Sequence, residues 1–420
     1  MLPLHAEPAG PHAAQAAEYG HLPPAALSAA PPAPPAPPPA TERATVYGYA
    51  PYWEDAMDQD WDSLTHLSIF SVGVNTDGTL TDTANWTSVA GEVIPVAHAY
   101  GVKVDLCVTS FYDDEHSAIL PSASRRATLV NALAAQVEAY DADGVNVDFE
   151  GLDASLMGEF TAFVEELAAR VPAVYVATPA IDWSGAYDYP ALADASDGLF
   201  IMGYGYHWTG GDPGPNDQLY ASSRWGTYAL DWTIDDYLGT GAPADKIILG
   251  IPLYGQEWPA GTDIPGSAWD DGWSVTMDEA EAIYRDEGGQ QDAASTTAYV
   301  LRSGTQLWFD DDANVQARIQ FAMDRGLQGV GFWALGYEGA DTAFWDMVAS
   351  ETRLESGTGG TDTTDPGTTD SGTDPGTDTT DTPAGRAEVV SGGDPGGCAT
   401  APAAGWWAAV LGLAAIRRRR

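Results

Sequence analysis

The chain has 420 residues and a formal charge of −44, with only two lysines. Nucleic acid and anionic membrane surfaces therefore make poor partners, because phosphate groups need Lys and Arg to neutralise them. The charge suits an exported protein or a salt-rich habitat and says nothing of fold, while 15 Trp, 19 Tyr and 44% hydrophobic residues supply a large core with aromatics to spare for a cleft.

Residues 1–43 are rich in Ala, Pro and His, and "PPAPPAPPPA" reads as polyproline-like spacer, so this segment is expected to be disordered. Its start, "MLPLHAEPAG", has neither the basic residues nor the apolar stretch of a signal peptide. From Ala44 the character changes. Apolar runs recur: "TVYGYA", "HLSIFSVGV", "GVKVDLCVTS", "GVNVDFE", "AVYVATPA", "GLFIMGYGY", "IILGIPLYG" and "GVGFWALG". Most are almost continuously apolar, the mark of parallel strands buried on both faces.

Amphipathic helical stretches lie between several of them. Leu156, Phe160, Phe163, Val164 and Leu167 follow helical spacing, with Asp153 or Ser155 as N-cap. "RRATLVNALAAQVEAY" and "ANVQARIQFAMDRG" behave likewise, and Gly326 suits a C-cap. Eight strands alternating with helices over residues 44–353 indicate an α/β fold, a (β/α)8 TIM barrel. An open doubly wound sheet is the alternative, but no G-x-G-x-x-G follows the first strand. The stretch 256–310 is too long for a plain connection, and reads as a small α+β insertion between strands 7 and 8, with one helix and two strands.

Residues 354–397 are a Thr/Asp/Gly/Pro linker, expected to be disordered. Its Asp residues lack EF-hand spacing. Residues 398–420 hold Cys398, an apolar run and four arginines. The run nears membrane-spanning length, and the arginines would hold its end on the positive-inside face. Cys107 sits in an apolar run and reads as a buried thiol. Two cysteines make neither a disulfide framework nor a Cys-based zinc site.

The chemistry concentrates in "DGVNVDFEG", residues 143–151. Side chains of a strand alternate between faces. Val145, Val147 and Phe149 therefore share one face, and Asn146, Asp148 and Glu150 the other. In a closed barrel the apolar set lies under the helices and the polar set points inward, with Glu150 at the C-terminal rim where barrel enzymes keep their chemistry. Two carboxylates in a confined interior repel, so one takes up a proton. A protonated Glu beside an ionised Asp is a general acid with its electrostatic partner. The competing reading is a satisfied structural network of polar groups. Asn146 is expected to donate its amide protons to Asp148 and keep it ionised.

"DGVNVDFE" resembles the D-G-x-D-x-D-x-E signature of glycoside hydrolase family 18, which contains chitinases and related endo-β-N-acetylglucosaminidases. The likeness extends over about residues 44–350. "YGYAPYW" looks like the family's first strand, "MGYGYHW" like its sixth, "KIILGIPLYGQEW" like its seventh and "GVGFWALG" like its eighth. The resemblance implies that Glu150 protonates the glycosidic oxygen. It implies that Asp148 orients the substrate's acetamido group, that Tyr204 hydrogen-bonds its carbonyl and that Trp333 lies beneath the sugar, with Met202 matching beside Tyr204. The nucleophile would be the substrate's own N-acetyl carbonyl, an exception to the two-carboxylate scheme.

Asn146 stands where many chitinases have Asp, and Gly205 where many have Asp or Asn; "GVNVDFE" and "LGIPLYGQEW" more closely resemble the branch containing the spore-cortex peptidoglycan hydrolases. The tail resembles the C-terminal sorting tails of myxobacterial surface proteins. That likeness implies export, attachment to the cell envelope and membrane through the C-terminus, and Cys398 as a lipid or processing site.

Tyr49, Tyr52 and Trp53 either line the cleft or fill the barrel core, and Trp208 and Trp258 are candidate platforms at the rim. No H-E-x-x-H and no G-x-S-x-G is present, so neither metal nor serine catalysis is expected, and no cofactor. The expected partner of this monomer is a polysaccharide, chitin or peptidoglycan. A lectin-like barrel without activity and an envelope scaffold displaying the insertion are the competing functions.

Overall fold

The computed structural model describes residues 10–32, 34, 43–260, 262, 267, 271–302, 304–340 and 342–354. The 354–397 linker beyond its first residue, Cys398 and the C-terminal tail lie outside the described residues. Among the described residues no helix is long and apolar enough to cross a membrane.

Eight parallel strands close on themselves. They are β1 (Thr45–Pro51), β2 (His66–Val74), β4 (Lys103–Ser110), β5 (Gly144–Phe149), β6 (Val174–Pro179), β7 (Gly198–Met202), β8 (Ile247–Pro252) and β14 (Gly329–Trp333), with β3 (Leu80–Thr81) a short hairpin partner of β2. Neighbours in the chain are neighbours in the sheet, and β1 pairs with both β2 and β14, which seals the ring. The barrel expected from the apolar runs is the fold observed.

The interior is filled in layers. Tyr47 stacks on His66, and both rings meet Tyr175. Above them Phe200 packs against Tyr49. A Cβ on Gly331 would lie 2.4 Å from the Phe200 ring and 2.7 Å from the Tyr47 carbonyl, so only glycine leaves room there. On the outer face of β5, Phe149 stacks on Phe160 and Phe163 of the helix Met157–Ala168. Asp153 caps the turn before that helix through the Ser155 N–H. Gly326 follows the helix Asp312–Asp324 with a positive φ of 67°, as expected of a terminator.

Between β8 and β14 lies the insertion. It holds five antiparallel strands where two were expected: β9 (Tyr254–Trp258), β10 (Trp273–Thr276), β11 (Gln290–Asp292), β12 (Thr297–Arg302) and β13 (Thr305–Phe309), in the order β10-β9-β13-β12-β11. The helix Met277–Glu287 closes a small core of Val275, Ala280, Val300, Leu307 and Phe309. Arg318 pins the insertion to the barrel. Its guanidinium is fully buried, bonds the Asp217 carboxylate and the Thr296 carbonyl, and lies 2.6 Å from Asp310.

The N-terminal segment departs from expectation. Residues 10–32 are not a free spacer: Pro11–Tyr19 is a helix packed on the barrel. Proline suits the first helical position because its missing N–H has no partner there anyway. The Ala-rich "HAAQAAEY" that follows has high helix propensity. A nine-residue helix is marginal alone, so it owes its stability to docking.

Candidate active site

β5 delivers the polar residues as the alternation requires. Asn146, Asp148 and Glu150 are all at most 1% exposed on the inward side, while Val145, Val147 and Phe149 join the core. Gly151, at φ 74°, turns the chain away directly after Glu150 and leaves that carboxyl at the barrel mouth. The Glu150 N–H donates to the Ser110 carbonyl on the adjoining strand. Burial and then the charge of Asp148 push the Glu150 carboxyl well above the ordinary carboxyl range, and backbone N–H groups of Ala13 and His12 pull it partly back. One of the two carboxyls is thus held neutral.

Tyr204 follows β7 and is buried. Burial, more than the neighbouring Tyr254, Asp148 and Glu150, keeps its phenol protonated, so it stays a donor. Trp333 ends β14 with its indole wholly inside, and its Nε1–H has no partner. Tyr49 lies edge-on to Trp333 at 5.5 Å, below the site rather than in the cleft. Met202 is buried at its wall.

A cavity of about 920 Å³ opens beside these residues, lined by Glu150, Tyr204, Tyr112, Trp183, Trp208 and Gln256 among others. Trp208 is partly exposed and lines this cavity. Trp53 does not: it is 7% exposed and donates to the Tyr337 hydroxyl. Tyr52 is half-buried and bonds the Gly20 carbonyl.

Two expectations are corrected. Trp258 is not a platform; it is wholly buried in a cluster with Trp225 and Trp308, because the β9 strand that carries it turns it into the insertion. Asn146 does not bond Asp148. Its Oδ1 faces Cys107 Sγ at 3.5 Å and its Nδ2 has no partner, since adjacent inward positions on one strand project in parallel and pass each other.

Sequence reasoning missed His12. Its imidazole enters the barrel mouth, with Nδ1 2.9 Å from Asp148 Oδ2 and Nε2 2.5 Å from the Tyr204 hydroxyl. It lies on Trp333 with ring centroids 3.8 Å apart. A lone His in a Pro/Ala tail carries no local signal. Gln256 was also missed: it is buried, lines the cavity and leaves its Oε1 unpaired. One atom each of His12, Asp148 and Glu150 lie within 4.8 Å of one another, a donor set that suits a cation. Asp148 Oδ2 and Glu150 Oε1 carry the hydrogen bonds to His12 Nδ1 and the Ala13 N–H, while Asp148 Oδ1 and Glu150 Oε2 have no partner among the described residues.

The family model for glycosyl hydrolases family 18 matches residues 45–338, and the chain belongs to that family. It is 24% identical over 313 residues to the cortical fragment-lytic enzyme of Bacillus anthracis, covering 65% of each chain. It is 26% identical over 251 residues to the class V chitinase of Lotus japonicus, covering 52% of this chain and 62% of that one. The fold superposes on the Group IV chitinase of Ostrinia furnacalis in complex with allosamidin with a TM-score of 0.68 at 19% identity, over 73% of this chain and 98% of that one. A chitinase-like agglutinin of Robinia pseudoacacia gives 0.64 at 18% identity, over 73% and 98%. A glycoside hydrolase barrel is thus the class of this protein.

Proposed function

We propose that this chain cleaves the β-1,4 bond beside an N-acetylglucosamine residue in chitin or peptidoglycan, by substrate-assisted retaining catalysis. The observation that carries this reading is the placement of Asp148 and Glu150 two residues apart on one inward strand face. Attack at the anomeric carbon with retention needs a nucleophile opposite the leaving group, and membership of the family supports the substrate's own acetamido oxygen in that role.

In this reading Glu150, held neutral, donates its proton to the glycosidic oxygen as the C1–O bond breaks. The acetamido carbonyl oxygen bonds to C1, giving a cyclic oxazolinium. Asp148 accepts the acetamido N–H and balances the positive charge that develops, and Tyr204 donates to the carbonyl oxygen. Trp333 supplies an apolar face under the ring. Glu150, now ionised, takes a proton from the water that opens the ring, which restores the acid. The relatives named above support an N-acetylglucosamine polymer of either kind.

The test is product analysis on chitin and on purified peptidoglycan in parallel, with Glu150→Gln as control. New reducing ends of initial β configuration are expected; α product, or equal release by the control, overturns the mechanism. The agglutinin likeness favours a second reading, a sugar-binding barrel without turnover, and the retention of both carboxyls argues against it. Attachment to the cell envelope through residues 398–420 is part of the proposal, supported by the order of linker, Cys398, apolar run and Arg cluster; full-length protein in the cytosolic fraction would count against it.

A further inference from the structure

The helix Pro11–Tyr19 stands in the cleft, and what it touches is selective. Neutral imidazole presents one N–H and one acceptor nitrogen. Beside Asp148 the proton belongs on Nδ1, which leaves Nε2 to accept from the Tyr204 hydroxyl. The ring lies flat on Trp333, 22° from parallel. An acetamido group offers the same pair, an N–H and a carbonyl oxygen, to the same two partners, and the sugar that bears it would cover the same indole. Next to His12, the Ala13 N–H donates to Glu150 Oε1 at 2.9 Å. A Cβ on Gly10 would lie 1.6 Å from Glu150 Oε2, so only glycine lets the backbone approach the acid this closely.

The rest of the segment is fastened along the cavity wall and beyond it. Gln15 donates to Ser274 at 2.8 Å, Tyr19 stacks on Trp53, Tyr52 donates to the Gly20 carbonyl, and Ala25 N–H donates to the Tyr52 carbonyl. Tyr100 donates to the Pro32 carbonyl. These are few contacts on a short element, two of its polar bonds only part-buried and the one at Pro32 exposed, which places the segment at the low end of local stability.

We propose that residues 10–32 are a built-in inhibitor, with His12 as a pseudosubstrate for the N-acetyl pocket, and that the enzyme works at full rate only when this segment leaves the cleft or is cut away. The proposal rests on the reading that Asp148, Tyr204 and Trp333 receive an N-acetyl group. Because the segment is tethered, its effective concentration at the site is of millimolar order, so a weak intrinsic affinity suffices to hold the site closed.

The experiment uses the full chain. Gly10→Val places a side chain where Glu150 lies without altering the barrel; Gly10 has extended backbone torsions that any residue adopts. His12→Ala removes the pseudosubstrate. On a fluorogenic chitotetraoside both variants should show kcat/KM raised at least about tenfold. A synthetic peptide of residues 10–22 should then inhibit Gly10→Val competitively, and the same peptide carrying His12→Ala should be at least about tenfold weaker. The labelled peptide's binding to Gly10→Val, followed by fluorescence anisotropy, should be displaced by chitotetraose. If both variants hydrolyse no faster than the parent chain while the parent is active, the inhibitor proposal fails and the hydrolase reading stands. If nothing is hydrolysed but the peptide binds and chitotetraose displaces it, the inhibitor proposal stands and the hydrolase reading fails. A peptide that does not bind, or binds without regard to His12 or sugar, overturns the proposal.

Discussion

The Tyr187 hydroxyl donates to the backbone carbonyl of Phe149 at 2.7 Å, one residue before Glu150. With the Glu150 N–H bonded to Ser110 on the other side, the acid's backbone is clamped from both directions. Burial holds the Tyr187 phenol well above its ordinary range, so it remains a donor at any working pH. Tyr187→Phe keeps the ring and removes only that bond. We expect kcat to fall by about tenfold with KM changed by less than about twofold, since misplacing a reacting group costs rate more than ground-state binding. Steady-state kinetics on the chitotetraoside would show it; an unchanged kcat would mean that the clamp does not position the acid.

Glu150→Gln should lower kcat by ~10²–10⁴-fold, the worth of a general acid, while oligosaccharide binding measured calorimetrically persists. Because the Glu150 carboxyl is raised, the acid form survives above the ordinary carboxyl range, and activity should fall as pH rises through its pKa. Ala13 and His12 N–H groups stabilise the charged form.

Asn146→Asp adds a near-isosteric carboxyl on the same inward face as Asp148 and Glu150. Extra negative charge there disfavours ionisation of Glu150, so the alkaline limb of kcat/KM should shift upward with the melting temperature little changed. Superimposable profiles would show that position 146 is electrostatically remote from the acid.

Arg318→Met should destabilise the fold by about 3–5 kcal/mol, because it leaves Asp217 and Asp310 buried without their cation. Denaturant titration reads the loss directly. Combining Arg318→Met with Asp217→Asn and Asp310→Asn should recover part of it; a loss under about 1 kcal/mol in the single variant would show that the cluster is already neutral.

Asp105 accepts from the Tyr47 hydroxyl deep in the barrel, and burial raises its carboxyl from 3.8 to about 7. Its folded pKa thus exceeds its unfolded one. Its contribution to stability is complete below the unfolded value and is lost as pH rises through the folded value. Unfolding free energy should therefore decline between pH 4 and 7 through this group, and Asp105→Asn should flatten that decline. A parallel slope in parent and variant would assign it to other groups.

The alternation in "DGVNVDFEG" was enough to assign Asp148 and Glu150 to one inward face, because strand geometry permits no other placement once the valines are buried. Eight apolar runs with helices between them likewise pointed to a parallel sheet covered on both faces, since each run is too apolar to leave either face in water; the pairing of β1 with β14 is what closes it into a barrel. Local sequence could not decide what stands opposite those faces. Trp258 and Trp208 look equivalent as rim aromatics, yet the pairing of β9 with β10 and β13 sends one into a core and leaves the other at the cleft. His12 lies 136 residues from Asp148 and 192 from Tyr204. Neither helix propensity nor composition in the first 43 residues says that its ring will meet them, because such a contact exists only once the barrel has closed and brought β5, β7 and β14 to one mouth.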